Sequence, residues 1–383
     1  MQIRPEIQKL YPKIKAYREY LHQYPELEYH TVQTRKFIKK VMEETKCDIL
    51  QEGYAQEGIV GVYGKGKEKG ILIRSDMDAL PIQEKVKKET ASKIKGVMHA
   101  CGHDGHMAAL LGLCEYLHEH KQRIHKPIVC LFQPGEEGAG GAKQMIEEGV
   151  LETFPCAYAL ATHLMPQYEV GKIACRSGAM MAQNAEVEIR VQGTGGHGAY
   201  PDTGKDAILA ATSFLLEVQT QLNKRFSPLQ EKVFHIGIIQ GGNACNTICD
   251  SLLMKGTLRA FDEAIFQQLK ACIMNTAEAI EKLYDVHFHF QWHEGYFSVY
   301  NHPQMCMLLK EAVEDSYVEA DKQMTSEDFS FFLKEVPGFM FYTGCKMEKE
   351  TSLHSDTFDF DEHALLYTVE TYVRILEKLD ILI

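Results

Sequence analysis

Five short segments of this chain each end an apolar run in a group that can bind or activate a metal ion, and any fold that serves all five must bring their ends to one place. They are Arg74-Ser75-Asp76-Met77-Asp78, His99-Ala100-Cys101-Gly102-His103-Asp104-Gly105-His106, Gln133-Pro134-Gly135-Glu136-Glu137, Thr162-His163 and Leu353-His354. An open, largely parallel α/β sheet meets that demand, because its ligand crevice lies beyond the carboxyl ends of its strands. Thiolate, imidazole and carboxylate together suit one or two divalent ions of the zinc, manganese, cobalt or nickel type.

The periodicity agrees. Ile3, Ile7, Leu10, Ile14, Tyr17 and Leu21 recur every three or four residues, which predicts one amphipathic first helix running to about Tyr24-Pro25; a second is expected near Thr31 to Glu44. Strands are expected at Ile59 to Tyr63, Ile71 to Ile73, Ile128 to Phe132 and Ala157 to Ala161, with a helix from about His106 to His120 between them. On this reading Asp76 and Asp78 follow one strand, Glu136 and Glu137 another, His163 a third, and His354 comes some residues after the run Phe339 to Tyr342. Alternating strands and helices predict an α/β fold with a mostly parallel sheet.

From about Cys175 to Phe290 the order becomes β-α-β-β-α-β, with strands near Glu186 to Val191, Val233 to Ile239, Leu252 to Arg259 and Val286 to Phe290, and helices at Asp206 to Leu222 and Glu263 to Tyr284. This is the ferredoxin-like order. The expected organisation is a catalytic domain of residues 1–174 and 291–383, closed by a helix from about His363 to Leu379, with an inserted ferredoxin-like α+β domain at 175–290.

A chain of 383 residues with 45% apolar and 25% charged residues has ample material for two cores. Its net charge of −12 argues against a nucleic-acid footprint and leaves a small molecule as the expected partner. The first twenty residues lack the apolar core and cleavage site of a signal peptide, and no stretch is apolar enough to span a bilayer. Eleven cysteines at irregular spacing do not form a secreted disulfide pattern. A cytoplasmic protein is expected.

Most of the chain's seventeen histidines need no explanation beyond packing. Cys101 and His103 differ, because they sit two apart in a glycine-rich turn that opens a helix, so both can face one cavity and the helix N-terminus would favour a thiolate. Glu136 and Glu137 would repel each other if buried without a cation. One can hold metal while the other takes a proton from the attacking water. Asp76 or Asp78 is placed to orient a histidine ligand from behind, Asp104 can do likewise, and His197 in Gly195-Gly196-His197-Gly198 can donate to a developing oxyanion.

These segments, with LHQYPELEYHT, RSDMDALPI, MHACGHDGHMA, QPGEEGAGGA, GTGGHGAYP, GTLRAF, SEDFSFFL and PGFMFYTG in order along nearly the whole chain, resemble the amidohydrolase branch of the aminoacylase and metallocarboxypeptidase superfamily. That branch includes hippurate hydrolases, indole-acetyl-amino-acid hydrolases and N-acetyldiaminopimelate deacetylases. The resemblance implies metal ligation by Cys101, His103, Glu137, His163 and His354, with Cys101 bridging two ions, and Glu136 as general base. It also implies substrate contacts from Asn246 and Arg259, carbonyl polarisation by His197, and a homodimer. The segments TSEDFSFFLKEVPGFMFYTG and QPGEEGAGGAKQMIEEGVL look nearest to the acetyl-diaminopimelate subgroup. General N-acyl-amino-acid or hippurate hydrolysis and dipeptide cleavage use the same machinery. From another class, a metal-dependent binding protein without turnover would not need Glu136. Thr247, Cys249 and Ser326 depart from residues frequent in relatives and bear on the substrate pocket more than on the chemistry.

Overall fold

The apolar runs do become strands. In the computed structural model, which describes every residue except Lys67, they form an eight-stranded sheet in the order Ile49–Tyr54, Gly58–Tyr63, Ile128–Gln133, Gly70–Asp76, Cys156–Met165, Gly338–Gly344, Ile173–Cys175 and Tyr317–Glu319. The four strands from Ile128–Gln133 to Gly338–Gly344 are mutually parallel, and antiparallel pairs flank them. Every residue of Gly70–Asp76, Ile128–Gln133 and Gly338–Gly344 is buried, as expected of a sheet covered on both faces. Asp76 pairs with Gln133 and His163 with Tyr342, which sets the polar ends of these strands along one sheet edge.

Helix His103–Glu119 starts at that edge and is buried on all sides through Leu117. At Gly112 a Cβ would stand 2.7 Å from Ile14 and 3.2 Å from Val369, so the missing side chain lets helices Tyr11–Gln23 and Ala364–Lys378 approach closely. The same core takes in Leu110, Phe132, Phe339 and Leu376.

Contacts divide the chain into two compact units: Met1–Met180, Val299–Asp321 and Glu327–Ile383 make one, Met181–Ser298 with Lys322–Ser326 the other. The smaller unit has a four-stranded antiparallel sheet in the order Lys232–Gly241, Ser251–Ala260, Gln183–Gln192, His287–Glu294. Its helices, Ala207–Arg225 and Glu263–Tyr284, begin at Asp206 and Asp262, whose side chains accept from free amides of the first turn. Strand Gln183–Gln192 alternates buried and more exposed residues, the mark of a sheet with one covered face. This is the ferredoxin-like arrangement.

Several boundaries differ from expectation. The single first helix is two, Pro5–Gln8 and Tyr11–Gln23, because Pro12 in the opening turn of the second has no amide to continue the first. The Cys156–Met165 strand runs past His163, so His163 lies within it rather than after it. Cys175 belongs to the large sheet and Trp292 to the small one, which moves the two ends of the smaller unit to Met181 and Ser298 and adds 322–326.

Candidate metal centre

Gly102, at φ 88°, turns the chain from the buried segment Met98–Cys101 into helix His103–Glu119, a left-handed step that costs glycine little. This turn sets Cys101 and His103 at the sheet edge. His103 Nδ1 donates to the Asp78 carbonyl at 2.8 Å, and His163 Nδ1 donates to the Leu164 carbonyl at 2.7 Å. Each ring is thereby fixed with Nε2 free for a ligand role, the usual support behind a metal-binding histidine. His163 Nε2 lies 3.3 Å from Cys101 Sγ, and His354 Nε2 lies 3.3 Å from the same sulfur. His354 has a left-handed backbone, φ 61°, and its amide is tied to the Ala100 carbonyl at 2.8 Å.

The result is two donor sets that share one sulfur. Cys101, His103 and His163 make the first, and Cys101, Glu137 and His354 the second; the donor atoms within each lie within 4.8 Å of one another. Glu136 Oε2 stands 3.9 Å and Glu137 Oε1 3.8 Å from His103 Nε2. His103 Nε2 and Glu137 Oε1 are buried without a hydrogen bond; His354 Nε2 lies 3.5 Å from the latter. Leaving such atoms unsatisfied costs about 1–3 kcal/mol each, and a divalent cation among sulfur, imidazole and carboxylate donors removes that cost. The residues fit the metal.

Electrostatics point the same way. Burial pushes the Cys101 thiol well above its ordinary value, and Glu137, Glu136 and Asp76 add to the shift. The expected help from the helix N-terminus is outweighed, and a cation has to supply what makes this sulfur a thiolate. Burial, then Glu327 and Glu137, holds the Glu136 carboxyl well above the usual range. For His103 burial acts downward but Asp76, Glu137 and Asp78 outweigh it, raising the ring to about 9. His163, buried and beside His106, falls to about 3.

The supporting carboxylates do not act as first expected. It is the backbone carbonyl of Asp78 that orients His103, while its carboxylate, pushed up to about 6 chiefly by burial, accepts from the amides of Glu136 and Glu137 at 3.0 Å each. Asp76 binds His106 Nδ1 at 2.7 Å, and His106 Nε2 accepts from the Leu164 amide at 2.9 Å, so both nitrogens of His106 are occupied. Asp104 serves no ligand histidine: it pairs with Arg18 at 2.9 Å and His22 at 2.8 Å. Arg74, fully buried, gathers Asp76, Gln133, Glu327 and Asp328. Of these, Gln133, Glu327 and Asp328 carry no role in the sequence analysis, where SEDFSFFL and RSDMDALPI enter only as segments of the resemblance.

The smaller unit holds the other three candidates. His197 lies in a two-residue strand, Gly196–His197, paired with Thr247–Ile248, and the Gly198 amide donates to the Asn246 carbonyl at 2.7 Å. His197 and Asn246 are both exposed. His197 Nδ1 accepts from the Ala199 amide at 3.1 Å, which leaves Nε2 as the N–H donor. Arg259 donates to the Met324 carbonyl at 2.7 Å.

Residues 72–378 match Peptidase family M20/M25/M40. The chain belongs to this family. It is 34% identical over 366 residues to an N-acetyldiaminopimelate deacetylase of Bacillus subtilis, covering 94% of this chain and 96% of that one. It is 37% identical over 361 residues to IAA-amino acid hydrolase ILR1-like 2 of Arabidopsis thaliana, covering 91% and 81%. Among solved structures, the YXEP protein of Bacillus subtilis, described as a dinuclear metal binding peptidase of the M20 family, superposes with a TM-score of 0.85 at 30% identity over 96% of this chain and 98% of that one. This M20-family chain is a metal-dependent hydrolase acting on amides.

Proposed function

We propose that this M20 enzyme removes the acyl group from N-acyl amino acids, with N-acetyl-diaminopimelate as the favoured substrate. The observation that carries the hydrolytic assignment is the pair of donor sets sharing Cys101 with the Glu136 carboxylate beside them. Deacetylases of that name, similar over nearly the full chain, support the substrate. The plant relative, at 37% identity, supports a second reading, cleavage of aryl-acyl amino acids by the same site.

In this assignment Cys101, His103 and His163 would hold one divalent ion and Cys101, Glu137 and His354 a second, of the zinc, manganese, cobalt or nickel type. Bound there, the ions supply Lewis acidity toward the amide carbonyl and the attacking water. Glu136 takes the proton of that water and returns it to the leaving amine. His197 donates from Nε2 to the oxyanion, Arg259 grips the substrate carboxylate with its planar fork, and Asn246 contacts the same end. A homodimer is part of the reading, with His197 supplied within one chain or across two. A cytoplasmic location is supported by eleven free cysteines; no helix of the described residues is long and apolar enough to cross a membrane.

Amine release is to be measured on acetylated, benzoylated and dipeptide substrates after loading with each of the four metals. Fastest turnover of N-acetyl-diaminopimelate is expected. Preference for aryl-acyl substrates would transfer the assignment to the second reading, and metal binding without turnover on any amide would leave a binding protein.

A further inference from the structure

The acidic loop is a poor candidate for holding its own shape. Residues 134–140 join strand Ile128–Gln133 to helix Gly141–Glu147, and Gly135, Gly138 and Gly140 all have positive φ, so the segment gains little from local backbone preference. It nevertheless carries Glu136 and Glu137, whose placement the chemistry depends on. Asp78 holds the amides of those two residues, and Tyr29 donates to the Ala139 carbonyl at 2.7 Å.

Both ends of the loop meet at one side chain. Asp328 Oδ2 accepts from Gln133 Nε2 at 2.7 Å, on the last residue of the strand, and from the Ala142 amide at 3.0 Å, in the first turn of the helix. Its other oxygen, Oδ1, accepts from Arg74 Nη2 at 2.7 Å, while Arg74 Nε donates to Gln133 Oε1 at 2.8 Å. Glu327 Oε1 lies 3.0 Å from the same Nη2. Asp328 is wholly buried, so water does not compete for these bonds. The arginine that holds this carboxylate is carried on the wholly buried strand Gly70–Asp76.

We propose that Asp328 is a positioning residue for the hydrolytic reaction: anchored by Arg74, it clasps the two ends of loop 134–140 and thereby fixes where Glu136 and Glu137 stand. This rests on Glu136 and Glu137 having the roles assigned above.

The test is Asp328→Asn, which keeps the shape and the bond to Arg74 but turns an amide toward two donors. Hydrogen–deuterium exchange of the metal-free protein should show residues 134–142 exchanging about tenfold faster or more, with strands Gly70–Asp76 and Gly338–Gly344 unchanged. After metal loading, kcat should fall about ten- to a hundredfold with KM within about twofold, the signature of a displaced reacting group. Adding Gln133→Glu, which offers the new amide an acceptor and restores the charge, should recover part of both losses. Unchanged exchange in 134–142, or faster exchange spread evenly over the sheet, overturns the proposal; so does an unaltered kcat. If Asp328→Asn does not fold, Gln133→Ala leaves every charge in place and must show the same local exchange. The exchange measurement needs no substrate, so it decides the clasp even if no acyl amino acid is hydrolysed.

Discussion

The residues proposed for the metal centre in the larger unit and those proposed to face the substrate in the smaller one are held differently. Cys101, His103, Glu136 and His163 are buried, the two histidines pinned by backbone carbonyls, with Arg74, Asp76, Asp78 and Asp328 behind the site; His354 alone of the proposed ligands is exposed. His197 stands exposed on a strand two residues long, and Asn246 stands exposed in the turn before its partner strand Thr247–Ile248. The first region is organised before anything binds, at the cost of burying charge. The second has exposed side chains on short backbone elements, so the two regions should answer differently to substitution.

The sharpest way to break that comparison is Glu136→Gln. Turnover should drop roughly 10²–10⁴-fold, the range for losing a general base, while metal content and circular dichroism stay near the parent's. Near-parental turnover would remove Glu136 from the reaction.

His197→Ala comes next. Loss of an oxyanion donor should lower kcat about a hundredfold or more, and because the ring is exposed the melting temperature should not move. Mixing it with Glu136→Gln locates the donor: in a hybrid dimer with donation across the interface one site regains both residues, whereas donation within a chain leaves both sites defective. Subunit exchange is first shown with an independent tag, and lack of recovery then excludes sharing.

Asp104→Asn should do the reverse, shifting stability by about 3 kcal/mol at pH 7 as a buried pair loses one partner, with Arg18 still paired to Asp359 and Glu362. Burial alone would raise the Asp104 carboxyl, but Arg18 and His22 outweigh it and hold it well below the usual range. A folded value below the unfolded one of about 3.9 means the stabilisation is complete above that value and lost as pH falls toward the folded one. Denaturant melts of parent and variant should therefore converge below about pH 4; a constant gap would show that the pair is not what titrates.

The smallest effect is expected from Arg259→Lys, about tenfold in kcat/KM for substrates with a free α-carboxylate, since lysine keeps the charge but loses the fork. Carboxamide analogues should be nearly unaffected. Equal losses on both would assign Arg259 to holding the Met324 carbonyl and no more.

Most of this architecture was legible from periodicity, because a strand buried on both faces has to be continuously apolar and a two-layer insert has to alternate. The strands at Gly58–Tyr63 and Ile128–Gln133 and the two helices of the smaller unit appear close to where their patterns place them. The hairpin strand Ile49–Tyr54 was not, since its ILQEGY sequence is mixed and half exposed at a sheet edge. Cys101, His103, Glu136 and Glu137 could be singled out because residues so costly to bury stood together beside apolar runs. Nothing comparable marked Gln133, and Asp78 looked like a side-chain orienter when its carbonyl does that work.

By itself, the sequence determined which chemistry this protein can hold and on which strand ends, because apolar periodicity dictates what is buried and residue type dictates what can bind a metal. Only the tertiary structure decided how those groups meet. The 3.3 Å approach of His163 and His354 to one sulfur, the role of Asp78 as a double amide acceptor and the convergence of Arg74, Gln133 and Asp328 join residues tens to hundreds of positions apart. Distances across strands are set by register and packing, and no local pattern in the chain encodes them.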